Sequence, residues 1–222
     1  VKLILLILAA TLLVAPALVQ AQHNDGYTDP DLDLDRMINR FENESREVFA
    51  LRDEIVAVAG VQSGDVVADV GAGTGAFLEP LVAAVGETGH VISVEISIRF
   101  VERLRQVADE EGYGNVTAVF SSYTSVTLPS ASVDKMIVID TYHHFDDYES
   151  MLASMLAALR SGGVMTVVDY DRNEESRDWI KGHVRASKEI FREEIEAAGF
   201  VFLEEIAIEG MEENFLYRFS KP

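Results

Sequence analysis

From residue 60 onward the chain alternates short apolar runs with longer amphipathic stretches, and few folds accept that rhythm. The short runs Val66–Val70, Val91–Val94, Val116–Phe120, Met136–Ile139 and Val164–Val168 read as strands. Between them, 76–85, 98–110 and 149–159 carry apolar residues near a 3.6-residue period and read as helices, as does 186–198. Strands in regular alternation with helices imply a mainly parallel sheet covered on both faces. Near-continuous apolar strands such as VVADV and MIVI fit burial on both sides. The last two strands, 201–208 and 215–219, are separated only by 209–214, so they are expected to form an antiparallel hairpin. The fold class is α/β: a Rossmann-like, mostly parallel, seven-stranded sheet.

Ahead of this body, 37–59 has helical periodicity and Gly60 offers a stop. Residues 1–21 have a different grammar: Lys2, an apolar run from Leu3 to Ala15, Pro16, then small residues at Val19-Gln20-Ala21. That is the pattern of a secretory signal peptide; Leu3–Val19, 17 residues, would serve as a short membrane anchor if uncleaved. Either way the protein is expected to be exported (periplasmic or extracytoplasmic) or membrane-anchored, with membrane association through 1–21. Residues 22–35, polar and rich in Asp, read as an acidic linker, and 36–222 as the folded domain.

Charge and cysteine content narrow the chemistry. With 38 Asp+Glu against 18 Lys+Arg the formal net charge is −20, which argues against gripping nucleic acid through its phosphates. The absence of cysteine removes disulfides, thiolate metal sites and a cysteine nucleophile.

In an open α/β sheet, ligands bind at the carboxyl ends of the strands. The first such edge reads Asp69-Val70-Gly71-Ala72-Gly73-Thr74-Gly75. Glycines there let a ligand approach main-chain atoms that a Cβ would block. Twenty residues beyond Gly75, at the end of the next strand, stands Glu95, suited to the two hydroxyls of a ribose. The spacing G-x-G-x-G lacks the third glycine position of a dinucleotide fingerprint, and no lysine follows it as in a phosphate-binding loop. Asp69 would repel a pyrophosphate and suits a cationic ligand.

VVADVGAGTGAF resembles the first motif of class I S-adenosylmethionine-dependent methyltransferases, and VEIS (94–97) resembles the second. DKMIVIDTYHHF, LRSGGVMTVVDYDR, EIEAAGF and the terminal hairpin extend the likeness, which leans to the small-molecule branch with the ubiquinone/menaquinone-type enzymes. The resemblance implies that S-adenosylmethionine is the cofactor and a small molecule the methyl acceptor. It implies that Gly71, Gly73 and Gly75 pass under the methionine part, that Asp69 assists its amino group, that Glu95 holds the ribose and that Ile96 lies beside the adenine. Where family members carry an acid toward the adenine amino group, this chain has Ser122, whose hydroxyl accepts a weaker hydrogen bond.

After the fourth strand, Asp140 is expected to line the cofactor pocket, and His143 or His144 to act as the catalytic base on an O or N nucleophile. Asp140, Asp169 and Asp171 could hold Mg²⁺, as in the catechol-type O-methyltransferases. Those enzymes continue Asp-Asn where this chain has Asp169-Tyr170, so no metal is assigned. His183, Arg185 and Lys188 form a basic island in the connection that follows, a candidate partner for an acidic substrate; a charged surface helix start reads equally well. Two alternatives stay open: an exported, non-catalytic module binding a nucleoside-type ligand, and a metal-dependent O-methyltransferase.

Overall fold

The structure is a computed structural model that describes Asn24 and residues 26–222. The export or anchor segment read at 1–21 lies outside the described residues. Among the described residues, no helix is long and apolar enough to cross a membrane.

Three short helices come first: α1 (Leu34–Phe41), α2 (Glu47–Ala50) and α3 (Arg52–Val58). The single helix expected over 37–59 is thus broken. The cause is Asn43, whose side-chain oxygen accepts from the Ser45 N–H (2.9 Å) while its carbonyl accepts from the Arg46 N–H (2.8 Å). An Asn that serves its neighbours' backbone in this way offers a turn in place of helix. Residues 26–35 also differ from a free linker. Asp33 caps α1 by accepting from the Arg36 N–H, and Leu32, Met37 and Phe100 make a small core against which Tyr27 and Phe41 pack.

The sheet comprises β1 (Val66–Val70), β2 (His90–Glu95), β3 (Val116–Phe120), β4 (Val133–Ile139), β5 (Leu159–Tyr170), β6 (Val201–Glu205) and β7 (Asn214–Ser220), in the order β3-β2-β1-β4-β5-β7-β6. The first five strands are parallel, and β7 runs antiparallel to both β5 and β6, so the expected class and terminal hairpin hold. The connecting helices are α4 (Leu78–Val85), α5 (Ile98–Glu111), α6 (Tyr148–Ala158), α7 (Asp178–His183) and α8 (Lys188–Ala197). Of these, α7 has no counterpart in the sequence reading. The hairpin's first strand is shorter than expected, ending at Glu205 rather than 208.

Alternate side chains of each central strand serve opposite faces. Met136 and Val138 join Leu152, Met155 and Phe191 in one core, while Ile137 joins Ile55, Leu81 and Leu104 in the other. At roughly 1.5–3 kcal/mol for each large apolar side chain buried, these two layers supply the main driving force. Strand order reverses between β1 and β4, and the crevice at their carboxyl ends is where an open α/β sheet offers a site.

Candidate active site

Two adjoining cavities open along that crevice. The first runs over the loop after β1 and is lined by Asp69, Gly71, Gly73, Glu95, Ile96, Ser122, Tyr123 and Asp140, with Phe145 and Met151 among its apolar walls. Asp69 is 3% exposed, and its Oδ2 has no hydrogen-bond partner. Burial, helped by the nearby Glu95 charge, pushes its carboxyl up to about 7. Glu95 is almost as buried but well served. Its Oε2 accepts from the Gly73 N–H (2.8 Å), and its Oε1 accepts from those of Ile96 (2.7 Å) and Ser97 (2.9 Å). Burial raises its pKa and these three bonds pull it back only in part. The bond to Gly73 ties the acid after β2 to the loop after β1, so the two sequence motifs form one unit.

The glycines divide their work. A Cβ on Gly71 (φ +80°) would lie 2.3 Å from the Thr141 Cγ2, so this glycine lets the β4 edge close onto the loop. Gly75 (φ +98°) does not line the cavity; its missing Cβ makes room for Leu78 and Leu104. Gly73 lines the cavity with its Cα open, a Cβ there meeting nothing closer than the Phe41 ring at 3.7 Å, while its N–H is spent on Glu95. Ser122 does reach the cavity, where its Oγ accepts from the Thr124 N–H at 3.3 Å.

The second cavity shares Tyr27, Phe41, Arg46, Asp140 and His144 with the first and adds Arg40, His143, Tyr170, Arg177, Trp179 and His183. Asp140 stands at the junction in a left-handed conformation (φ +46°), a strained state for a residue with a side chain. Its Oδ2 accepts from the Arg46 Nη2 and its Oδ1 from the Asn214 Nδ2, both at 2.6 Å. Burial holds its carboxyl above the usual range even with Arg46 beside it. Arg46 also donates to the Phe41 carbonyl (3.0 Å), so one guanidinium fastens the end of α1 to the end of β4.

His143 and His144 occupy a 3₁₀ turn, Tyr142–His144, directly after that junction. His143 is buried. Its Nδ1 lies 2.7 Å from the Asp169 Oδ1, its backbone N–H donates to the Asp169 Oδ2 (3.0 Å), and its Nε2 has no hydrogen-bond partner. Burial alone would lower the imidazole pKa, but Asp169 and Asp140 together raise it. The 2.7 Å contact implies that Nδ1 carries a proton, which leaves Nε2, a buried atom of a residue that lines the cavity, without a partner. His144 lines both cavities, its ring edge-on to Tyr27 at 5.5 Å. His183, from α7, completes a triangle with these two, and Trp179 stacks on it at 4.9 Å.

Two groups that the sequence left open are engaged within the protein. The basic island is internally neutralised: Arg185 makes a two-pronged pair with Glu194 (2.7 and 2.6 Å), and Lys188 binds Glu205 (2.8 Å) and Asp171 (3.2 Å). Only His183 of that group faces the cavity. Each acid considered for Mg²⁺ has a protein partner: Asp140 is engaged by Arg46 and Asn214, Asp169 by His143, and Asp171 by Lys188. Tyr27 and the pairing of Asp169 with His143 were not anticipated. For Asp169 the signal was its place at the end of the fifth strand; the β4–β5 register, which sets Ile139 opposite Val168, brings it beside Asp140.

An orphaned buried carboxylate beside a fixed glycine N–H, with an acid already oriented for a diol, fits the amino acid and ribose parts of S-adenosylmethionine. Comparison with known proteins agrees. The family described as "Methyltransferase domain" matches residues 61–213. A protein-L-isoaspartate O-methyltransferase of Ignicoccus hospitalis is 30% identical over 113 residues, covering 51% of each chain. A ubiquinone/menaquinone biosynthesis C-methyltransferase of Francisella tularensis subsp. novicida is 27% identical over 122 residues, 54% of this chain and 49% of that one. The chain thus spans about half the length of the curated relatives it matches. Among solved structures, a SAM-dependent methyltransferase from Aquifex aeolicus superposes with a TM-score of 0.75 at 19% identity, covering 86% of this chain and 99% of that chain, which is a likeness of fold. On the extent of the family match, this chain belongs to the methyltransferase domain family, as a class I S-adenosylmethionine-dependent member.

Proposed function

We propose that the protein transfers a methyl group from S-adenosylmethionine, held in the first cavity, to a small molecule held in the second. The observation that carries this reading is the shared lining: Tyr27, Phe41, Arg46, Asp140 and His144 border both cavities, so two ligands would lie side by side there. In the first cavity Asp69 binds the ammonium group, Glu95 accepts from the ribose hydroxyls, and Ile96 and Tyr123 flank the adenine. The bound cofactor supplies a methyl group on a sulfonium, and its C–S bond breaks with the electron pair going to sulfur. Methyl transfer by in-line displacement is mostly positioning. Arg46 and Asp140, locked together, hold the junction at fixed width, while Tyr170 and Trp179 bound the acceptor. The acceptor's proton is removed at the histidine end, where Asp169 holds the His143 Nε2 toward the cavity. The small-molecule acceptor is supported by the rings that enclose the second cavity and by the C-methyltransferase relative.

Calorimetric titration with S-adenosylmethionine and S-adenosylhomocysteine tests this. Micromolar binding is expected, weakened tenfold or more by Glu95→Ala, about 1.4 kcal/mol. No binding to a folded chain would sink the reading. The sequence of residues 1–21 further supports export or membrane tethering of this activity, tested by protease accessibility in intact cells.

A further inference from the structure

The geometry points to a divalent transition-metal site formed by His143, His144 and His183 in the floor of the second cavity. One ring nitrogen from each lies within 4.8 Å of the others. The ring centroids form a near-regular triangle of 4.1, 5.0 and 5.1 Å. Zinc–nitrogen bonds of about 2.0–2.1 Å at tetrahedral angles put ligand nitrogens about 3.3 Å apart. Side-chain rotations at His144 and His183 have to close the remainder, about 1.5 Å at most.

An independent observation supports a ligand here. The His143 Nε2 is buried without a hydrogen-bond partner, in a side chain only 2% exposed, and it borders the cavity. A buried polar atom left so is costly unless something binds it. Asp169, fully buried, sits on the opposite ring nitrogen and orients the imidazole. A carboxylate behind a ligating histidine is the usual support of such a metal ligand.

The donor set decides the metal. Three imidazoles without an available carboxylate suit Zn²⁺, Co²⁺, Ni²⁺ or Cu²⁺ and not Mg²⁺ or Ca²⁺. Of the arginines that line this cavity, Arg46 is paired with Asp140 and Arg177 with Glu213, while Arg40 lies over the Phe41 ring at 5.8 Å. Three protein ligands leave a fourth position open. It faces the cavity proposed for the methyl acceptor. Resting on that reading of the two cavities, but with the His143 Nε2 bound to the ion and so no longer a base, the ion would take the acceptor's oxygen or sulfur, lower its pKa so that the proton leaves to water, and present the anion to the methyl group. The acceptor class is then a hydroxyl or thiol compound rather than a carbon acid.

The test is titration of the metal-stripped full chain with Zn²⁺ and Co²⁺. One ion per chain is expected, with the intense visible bands of four-coordinate Co²⁺. His144→Ala and His183→Ala, checked for folding by circular dichroism, should each weaken binding at least about 100-fold, with His183→Gln as a substitute should the alanine variant not fold. Asp169→Asn should weaken it about 10–100-fold. His90→Ala, at the amino end of β2, should change nothing. No uptake, or uptake that survives loss of His183 in a folded chain, overturns the site. S-adenosylhomocysteine titrated into the same samples separates the two ideas: metal without cofactor binding sinks the methyltransferase reading alone, and cofactor without metal sinks the metal site alone.

Discussion

The two cavities share a wall, yet they solve opposite electrostatic problems. The acids and loop of the first come from two neighbouring strand ends, 69–77 and 95–97, and rely on backbone: a glycine N–H and two more N–H groups on Glu95, and a turn that side chains would obstruct. This cavity keeps a buried anion unserved, the Asp69 Oδ2. The second is gathered from residues 27–46, 140–144 and 169–183 and relies on side chains that satisfy one another, Arg46 with Asp140 and Asp169 with His143. A region that leaves one charge unmatched is poised for a cation from outside. A region that pairs most of its charges internally leaves over a polar atom without a partner, here the buried His143 Nε2. Burial raises the cost of an unmatched charge, which is why the pKa of Asp69 moves so far.

The largest way to break this contrast is to unpair the second cavity. Asp169→Ala strands the His143 ring and backbone N–H, and denaturant unfolding should show a loss of about 3–5 kcal/mol. Next comes the wall itself. Gly71→Ala drives a methyl group into Thr141 at a left-handed position, and should cost about 2–4 kcal/mol. Much of that loss should be recovered with Thr141→Gly, giving a coupling energy above about 1 kcal/mol in a double-mutant cycle.

A smaller effect sharpens the first cavity. Asp69 has its folded pKa raised to about 7, so its relative stabilisation of the ligand-free protein is full at low pH and is lost as pH rises through about 7. A cationic ligand reverses the sign for binding, because it selects the ionised carboxylate. S-adenosylhomocysteine affinity should therefore climb about tenfold per pH unit between roughly pH 5.5 and 7 and flatten above. Asp69→Asn should remove that slope, and a slope that persists would assign it to another group. The smallest effect is at the basic island. Lys188→Ala should shift stability by no more than about 1 kcal/mol and leave cofactor and metal binding unchanged, because its two partners lie outside both cavities.

Legibility followed the same divide. The glycine loop and Glu95 could be read because each motif sits within a few residues of a strand end, and a strand end is predictable from apolar runs. Even there Gly75 turned out to serve packing, since a helix two elements away, carrying Leu104, decides what stands over it. The histidine pair was visible as residue types, but its partner Asp169 comes from the neighbouring strand and His183 from a helix with too little periodicity to announce itself. Arg46 was visible too, although its role depends on the Asn43 turn that redirects the chain from α1 into α2.

By itself, then, the order of apolar and amphipathic segments determined the α/β class, the terminal hairpin and the edge of the sheet at which ligands meet the backbone. Those are short-range consequences of strand and helix periodicity and of what glycine permits. Only the tertiary structure decided which charges are paired and which atoms are left over. Pairing depends on strand register and on how the N-terminal helices fold across the crevice, and it brings His143 within 2.7 Å of an aspartate 26 positions away.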